Sequence, residues 1–368
     1  MSLFKKMRRA KLIGLILGIV VAAGTGIFFL VGFLTYGTIQ SSGSRYYAPL
    51  IARSPEPILI RTDIGNINVK YNTSAMQQVM KVDYDITMSG IYMIGKSISS
   101  FFLLEWDNVT SQPTEKTSFV LNIKPGVILD PTNWFSIKRI TIDVTLRTDI
   151  IYQIEEYATT GNINNEIPTG VNIYDLTLET TTGNSVTTLE EASIGSILAD
   201  TTTGGLSIYG KKSNFSSINA ESTTGLLRLN FSNCFLNGDI TGEATTGRLT
   251  FNSYNARCSS AVSWDLTTTT GNLYSDIFQY VDMGSNIDGI WTTSTGNIYL
   301  DYIDGLPTIG ATFSGSTTTG NFNPIDSGGF DTPTFTTFRT LDYLTANYTF
   351  HLDLHTTTGN ININGQSS

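Results

Sequence analysis

The chain has 368 residues, 14% charged and 40% hydrophobic, which is long enough for one extended domain or two ordinary ones and too apolar for wholesale disorder. Lys5, Lys6, Arg8, Arg9 and Lys11 fall in the first eleven residues; removing these five from the 22 basic residues leaves 17 against 31 acidic ones, a net charge of −14. That balance repels phosphate backbones and excludes nucleic acid as a partner, and two His and two Cys leave little for metal or nucleophilic chemistry.

Residues 1–11 read as a basic cytoplasmic stub. From Leu12 to Leu34 there is no charge, and as a helix this run reaches roughly 34 Å, enough to cross a ~30 Å hydrocarbon core. All five flanking positive charges precede it, so the positive-inside rule predicts a single-pass signal-anchor in the cell membrane at 12–34, with the N-terminus cytoplasmic and the C-terminal ectodomain extracellular. A cleaved signal peptide is the competing reading, with Val21-Ala22-Ala23 as the cleavage site; a leader does not need the apolar run to continue to Leu34, and an anchor does. Gly14, Gly18, Ala22 and Gly26 stand four apart. They form a small-residue stripe where a second helix can approach, giving a homodimer, although Gly is common in membrane helices without that role.

Residues 35–56 read as a linker and 57–157 as an N-terminal β region, opened by an outlying repeat copy, Ile64-Gly65-Asn66-Ile67-Asn68-Val69. The motif is missing from 70–140. Residues 158–368 carry a Thr-Gly pair preceded by Thr or Ser nine times, with glycines at Gly161, Gly183, Gly204, Gly225, Gly247, Gly271, Gly296, Gly320 and Gly359, spaced 22, 21, 21, 22, 24, 25, 24 and 39. The long last interval leaves room for an inserted loop or a degenerate repeat around Ser327 to Tyr343. Apolar residues alternate with period two on both sides of the glycines, as at Leu176 and Leu178 before Gly183 and Leu206 and Ile208 after Gly204, the pattern of half-buried strands. Each repeat is therefore a strand, a corner and a strand. Repeats this short bury a core only by stacking, which predicts an all-β fold, a parallel β-solenoid of ~21–25-residue coils at ~4.8 Å per coil. Gly supplies φ > 0 at the corner. The Thr residues three and one before each glycine share parity with the buried pair, so both are expected to face inward, against the outward hydroxyl array that ice binding needs.

Ile140 to Leu146, Tyr152-Gln153-Ile154-Glu155, and Thr159-Thr160-Gly161-Asn162-Ile163 with the Thr-Thr-Gly segments that follow resemble the bacterial and archaeal "putative adhesin" β-strand-repeat family of unknown function, over roughly 57–368. The resemblance implies a cell-surface or envelope β-solenoid, often membrane-anchored, and offers no catalytic residues. Asn stands after many of the glycines here, where that family commonly has Asp.

Chemistry is sparse. Glu155-Glu156 and Glu190-Glu191 are adjacent on their strands and form no dyad alone, since neighbours on a strand point to opposite faces. Asp276 and Asp301, each five residues past a glycine, are expected one coil apart on the outer surface as solvated charges. His351 and His355 share the strand face opposite Leu352 and Leu354, an unpromising metal site. Catalytic, cofactor and metal sites are accordingly expected to be absent. Sequons at Asn72, Asn108, Asn214, Asn230 and Asn347 are no more numerous than chance. Cys234 and Cys258 lie nine and eleven residues past their glycines, nearly the same station in consecutive coils, and an oxidising exterior predicts a disulfide between them after a two-residue loop adjustment. The expected function is a non-catalytic adhesive or scaffold module facing an envelope protein or glycan. The alternatives are an envelope sensor signalling through transmembrane self-association, and a carbohydrate-active solenoid enzyme.

Overall fold

The computed structural model describes residues 21–27, 30, 36–48, 54–72, 78–90, 93–107, 116–127 and 135–367, without the side chains of 135, 136 and 138. The fold is all-β, with one short 3-10 turn at Ile98–Ser100 among the named elements. Residues 21–27 are helical, and among the described residues no helix is long and apolar enough to cross a membrane. Most of the span expected at 12–34 lies outside the described residues, as do Gly14 and Gly18.

The chain divides into two compact units. One comprises Met1–Gly43, Asp85–Leu103 and Ile123–Ile140; it buries Met93 and Phe101 and holds the Lys96 ammonium 5.4 Å from the Phe101 ring centre. The other comprises Ser44–Tyr84, Leu104–Asn122 and Thr141–Ser368 and contains every Thr-Gly repeat.

In that second unit each repeat contributes an extended segment before its glycine and one after, as the alternation predicts, the two being one continuous strand at Gly225 and Gly247. The strands before the glycines pair side by side, parallel, into a leading ladder: Leu176, Ile197, Ile218, Ile240 and Trp264 occupy one register position in successive strands. Those after the glycines form a trailing ladder, with Leu206, Leu227, Leu249, Leu273, Ile298 and Ile361 in line. All of these side chains are buried. Towards the C-terminal end the interior becomes aromatic, with Phe231, Phe251, Trp264 and Phe350 in a chain of ring contacts at 5.0 to 6.0 Å. Among the described residues of 70–140, where the motif is missing, strands recur at Met80–Gly90, Phe102–Asp107 and Thr117–Ile123; Thr117–Ile123 lies parallel to Glu56–Ile64, and Thr141 to Arg147, the C-terminal half of Phe135–Arg147, parallel to Asn66–Asn72.

Stacking order departs from chain order at both ends, which the spacing did not reveal. The last repeat in sequence, Tyr348–Thr358 with Ile361–Gln366, is inserted between the repeats of Gly296 and Gly320. The reason lies in the 39-residue interval. Thr337–Thr340 pairs antiparallel with one edge of Ile309–Thr319 and also with Phe330–Thr334, and Phe330 and Phe338 stack at 4.4 Å over Phe313. With that edge occupied, the returning chain pairs on the other edge. At the opposite end, Glu56–Ile64 is likewise held between Thr117–Ile123 and Tyr152–Thr160.

Candidate functional site

Repetition at the corner turns single residues into rows. Each corner glycine, from Gly161 to Gly359, has φ between +140° and +149°, and a Cβ there would overlap the carbonyl of the glycine in the neighbouring repeat. The Asn after the glycine has its own use. Asn66 Oδ1 accepts from the Asn162 backbone N–H at 2.9 Å, Asn162 Oδ1 from Asn184 N–H at 2.8 Å, and Asn272 Oδ1 from Asn297 N–H at 2.8 Å. These N–H groups point along the stack and fall outside the strand ladder, so the side chain supplies their acceptor. Where Leu226 and Arg248 replace Asn, the strands Asn214–Ser232 and Ile240–Tyr254 run unbroken through the corner; at Gly205 the strand breaks and its N–H donates to Asn184 Oδ1 at 2.8 Å.

The threonines correct the expected phase. Thr180, Thr201, Thr268, Thr293 and Thr356, three before their glycines, are buried. The residues two and one before are both exposed, as at Thr181 and Thr182 or Thr202 and Thr203, because the chain turns after the buried position. Thr160, Thr182, Thr203, Thr224, Thr246, Thr270, Thr295, Thr358 and Thr319 thus form one in-register outer row. The threonines three before the glycines thus face inward as expected, whereas those one before face outward and form the hydroxyl row that was not expected.

On the leading ladder, four before the glycines, Glu179, Asp200, Glu221 and Glu243 make a further exposed row of four carboxylates in register. Sequence reasoning passed over it, although the constant offset from the glycine was the signal. On the trailing ladder, Tyr274 and Tyr299 stack at 4.8 Å with their rings 8° apart, and Arg248 covers the free face of Tyr274 at 4.6 Å. Asp276 is in register with Asp301 as expected; partial burial, then the Asp301 charge, push its carboxyl above the usual range. Beside this row the trailing face is hollowed. A depression of about 490 Å³ lies between Tyr209 and Tyr254 over Asn230 and Ser232, and one of about 320 Å³ continues it past Thr188 to Lys70 and Glu166.

Of the other residues singled out from sequence, Glu155 pairs with Lys116 outside while Glu156 is buried. Glu190 and Glu191 both face solvent, because Glu191 has φ +51°, and they pair with Lys211 and Lys212 at 2.6 and 3.0 Å. His351 lies 3.6 Å from Asp288 and 3.3 Å from Asp353, while His355 meets Ser316 Oγ at 2.6 Å. Among the described residues no group of three or more His, Cys, Asp or Glu is placed to hold a metal ion. Ala22 and Gly26 share a face of the helical stretch, and nothing lies within 4 Å of where a Gly26 Cβ would stand.

The expected disulfide is not formed: Cys234 and Cys258 are buried free thiols. Phe235 pairs with Arg257, which sets Cys234 opposite Ala256 and Cys258 opposite Leu236. The two-residue offset persists, and two residues along a strand plus one strand spacing separate the Cα atoms by roughly 8 Å, beyond the bridging range. Burial pushes the Cys258 thiol up to about 12 and raises Cys234 as well.

No protein-family model and no curated protein matches the chain. Three crystal structures are similar to it at low identity. A "putative cell adhesion protein" from Clostridium sporogenes is 11% identical over 89% of this chain and 99% of its own, with a TM-score of 0.20. A "putative adhesin" from Bacteroides fragilis is 11% identical over 88% and 97%, with a TM-score of 0.31, and another from Parabacteroides merdae is 8% identical over 72% and 90%, with a TM-score of 0.36. TM-scores this low carry no inference about the chain.

Proposed function

We propose that the chain is a membrane-anchored cell-surface protein whose repeat array is a parallel β-solenoid acting as a non-catalytic adhesive or scaffold module. The observation that supports it is the set of in-register rows: exposed threonines across nine repeats, with the asparagine-braced corner beside them. A row of identical groups at a fixed spacing suits multivalent contact with an extended surface, where many weak contacts add. The uncharged run at 12–34 with its five preceding cations supports the anchor, and the 14 to 26 stripe supports self-association of that helix. The partner class is an envelope protein or glycan.

Beads coated with the full-length protein test the reading by their adhesion to isolated cell envelopes. The expected result is saturable adhesion that is unchanged by Asp276→Asn and Asp301→Asn, with a panel of polysaccharides left uncut. Absence of adhesion would remove the adhesive role, and polysaccharide cleavage abolished by either substitution would replace it with a carbohydrate-active enzyme.

A further inference from the structure

The two depressions on the trailing face form one channel that crosses successive strands. Lys70, Glu166, Thr188, Tyr209, Asn230 and Asn252 succeed one another across six strands, a path of roughly 24 Å at one strand spacing each. Building on the adhesive reading, we propose that this channel binds a neutral polysaccharide laid along the ladder.

Four observations select that chemistry. First, the channel lies on a sheet face whose backbone groups are already committed to parallel pairing, so an extended peptide finds no main-chain partners there, as it would on an edge. Recognition must come from side chains. Second, those are aromatic, amide and hydroxyl groups: Tyr209 and Tyr254 form the walls, with Asn230, Asn252, Ser232 and Thr188 between or beside them. Rings that pack on C–H faces, beside groups that both donate and accept, are what a chain of hydroxylated rings requires. Third, the walls are held in place. Tyr209 accepts a hydrogen bond from Arg228 Nη1 at 3.2 Å, and Tyr254 packs edge-on against Phe278 at 5.1 Å. Fourth, the charges balance, Lys211 pairing with Glu190 at 2.6 Å and Lys70 lying beside Glu166, which gives a polyanion no net attraction. The rings of an extended polysaccharide recur at close to one strand spacing, so each repeat meets about one sugar.

Affinity electrophoresis of the full-length protein in detergent tests this, with hydroxyethyl cellulose, galactomannan or dextran in the gel and polygalacturonate as the charged comparison. The expected result is retardation by at least one neutral polymer and a dissociation constant about tenfold higher in Tyr254→Ala. Thr188→Trp, which fills the channel from an exposed position, should abolish retardation, while Thr223→Trp on the threonine face should leave it intact. Retardation by none of the neutral polymers, by polygalacturonate alone, or undiminished in both channel variants overturns the proposal. Envelope adhesion by Thr188→Trp beads separates the two readings: if adhesion persists where polysaccharide binding never occurred, the channel is removed and the adhesive role stands.

Discussion

At the residue scale, the corner tripeptide Thr-Gly-Asn is specified atom by atom. Gly225 has φ +146° and its missing Cβ makes room for the Gly204 carbonyl, so Gly225→Ala combines a forbidden backbone conformation with a backbone clash and should cost about 3 kcal/mol or more in urea unfolding. Asn297 Oδ1 accepts the Asn360 N–H at 2.7 Å. Asn297→Ala should cost about 1 kcal/mol and Asn297→Asp, which keeps the acceptor, much less. Glu156 lies in the interior with Asn165 as its donor at 3.3 Å, and burial pushes its carboxyl up to about 8. Between about pH 5 and 8 the unfolded chain ionises this group while the folded protein keeps it neutral, so stability falls with rising pH by about 1.4 kcal/mol per unit. Glu156→Gln should be more stable than the parent by a margin that widens from pH 5.5 to pH 7.5; a constant margin would remove Glu156 as the cause. The need for glycine was legible in sequence, and so was the recurrence of Asn, but its task was not, because its partner stands one repeat away.

At the scale of the element, period-two alternation gave strands on both sides of each glycine, and Asp276 fell opposite Asp301 as the offsets implied. Three features escaped. The threonine phase broke because the turn begins before the glycine, where alternation stops applying. The cysteine pairing failed because register is set by backbone pairing at Phe235 and Arg257, which distance from the glycine does not fix. Stacking order was likewise invisible, since repeats of similar sequence pair equally well with any neighbour and the hairpin at Phe330–Thr340 decides. Insertion places the chain's final strand, Ile361–Gln366, between Ile298–Asp304 and Phe322–Asp326, whereas Pro324 deprives the latter of an N–H at the end of the ladder. Hydrogen exchange should therefore be slower at Ile361–Ile363 than at Phe322–Ile325, the reverse of ordinary fraying from the C-terminus. Faster exchange in the final strand would contradict the inserted order.

For the whole molecule, the repeat and its period-two alternation carried the all-β fold that the strands show. The channel on the trailing face was not legible, because its walls, Tyr209 and Tyr254, come from repeats two apart and at different offsets from their glycines. The proposed adhesive role places these rows and this channel outside the cell on a retained anchor. The most direct test is protease added to intact cells expressing the full chain with an N-terminal tag. Residues beyond 35 should be removed while the tag remains protected and attached to a membrane-bound stub; a mature N-terminus at Gly24, or a repeat array that protease reaches only after lysis, would contradict the anchored, outward placement.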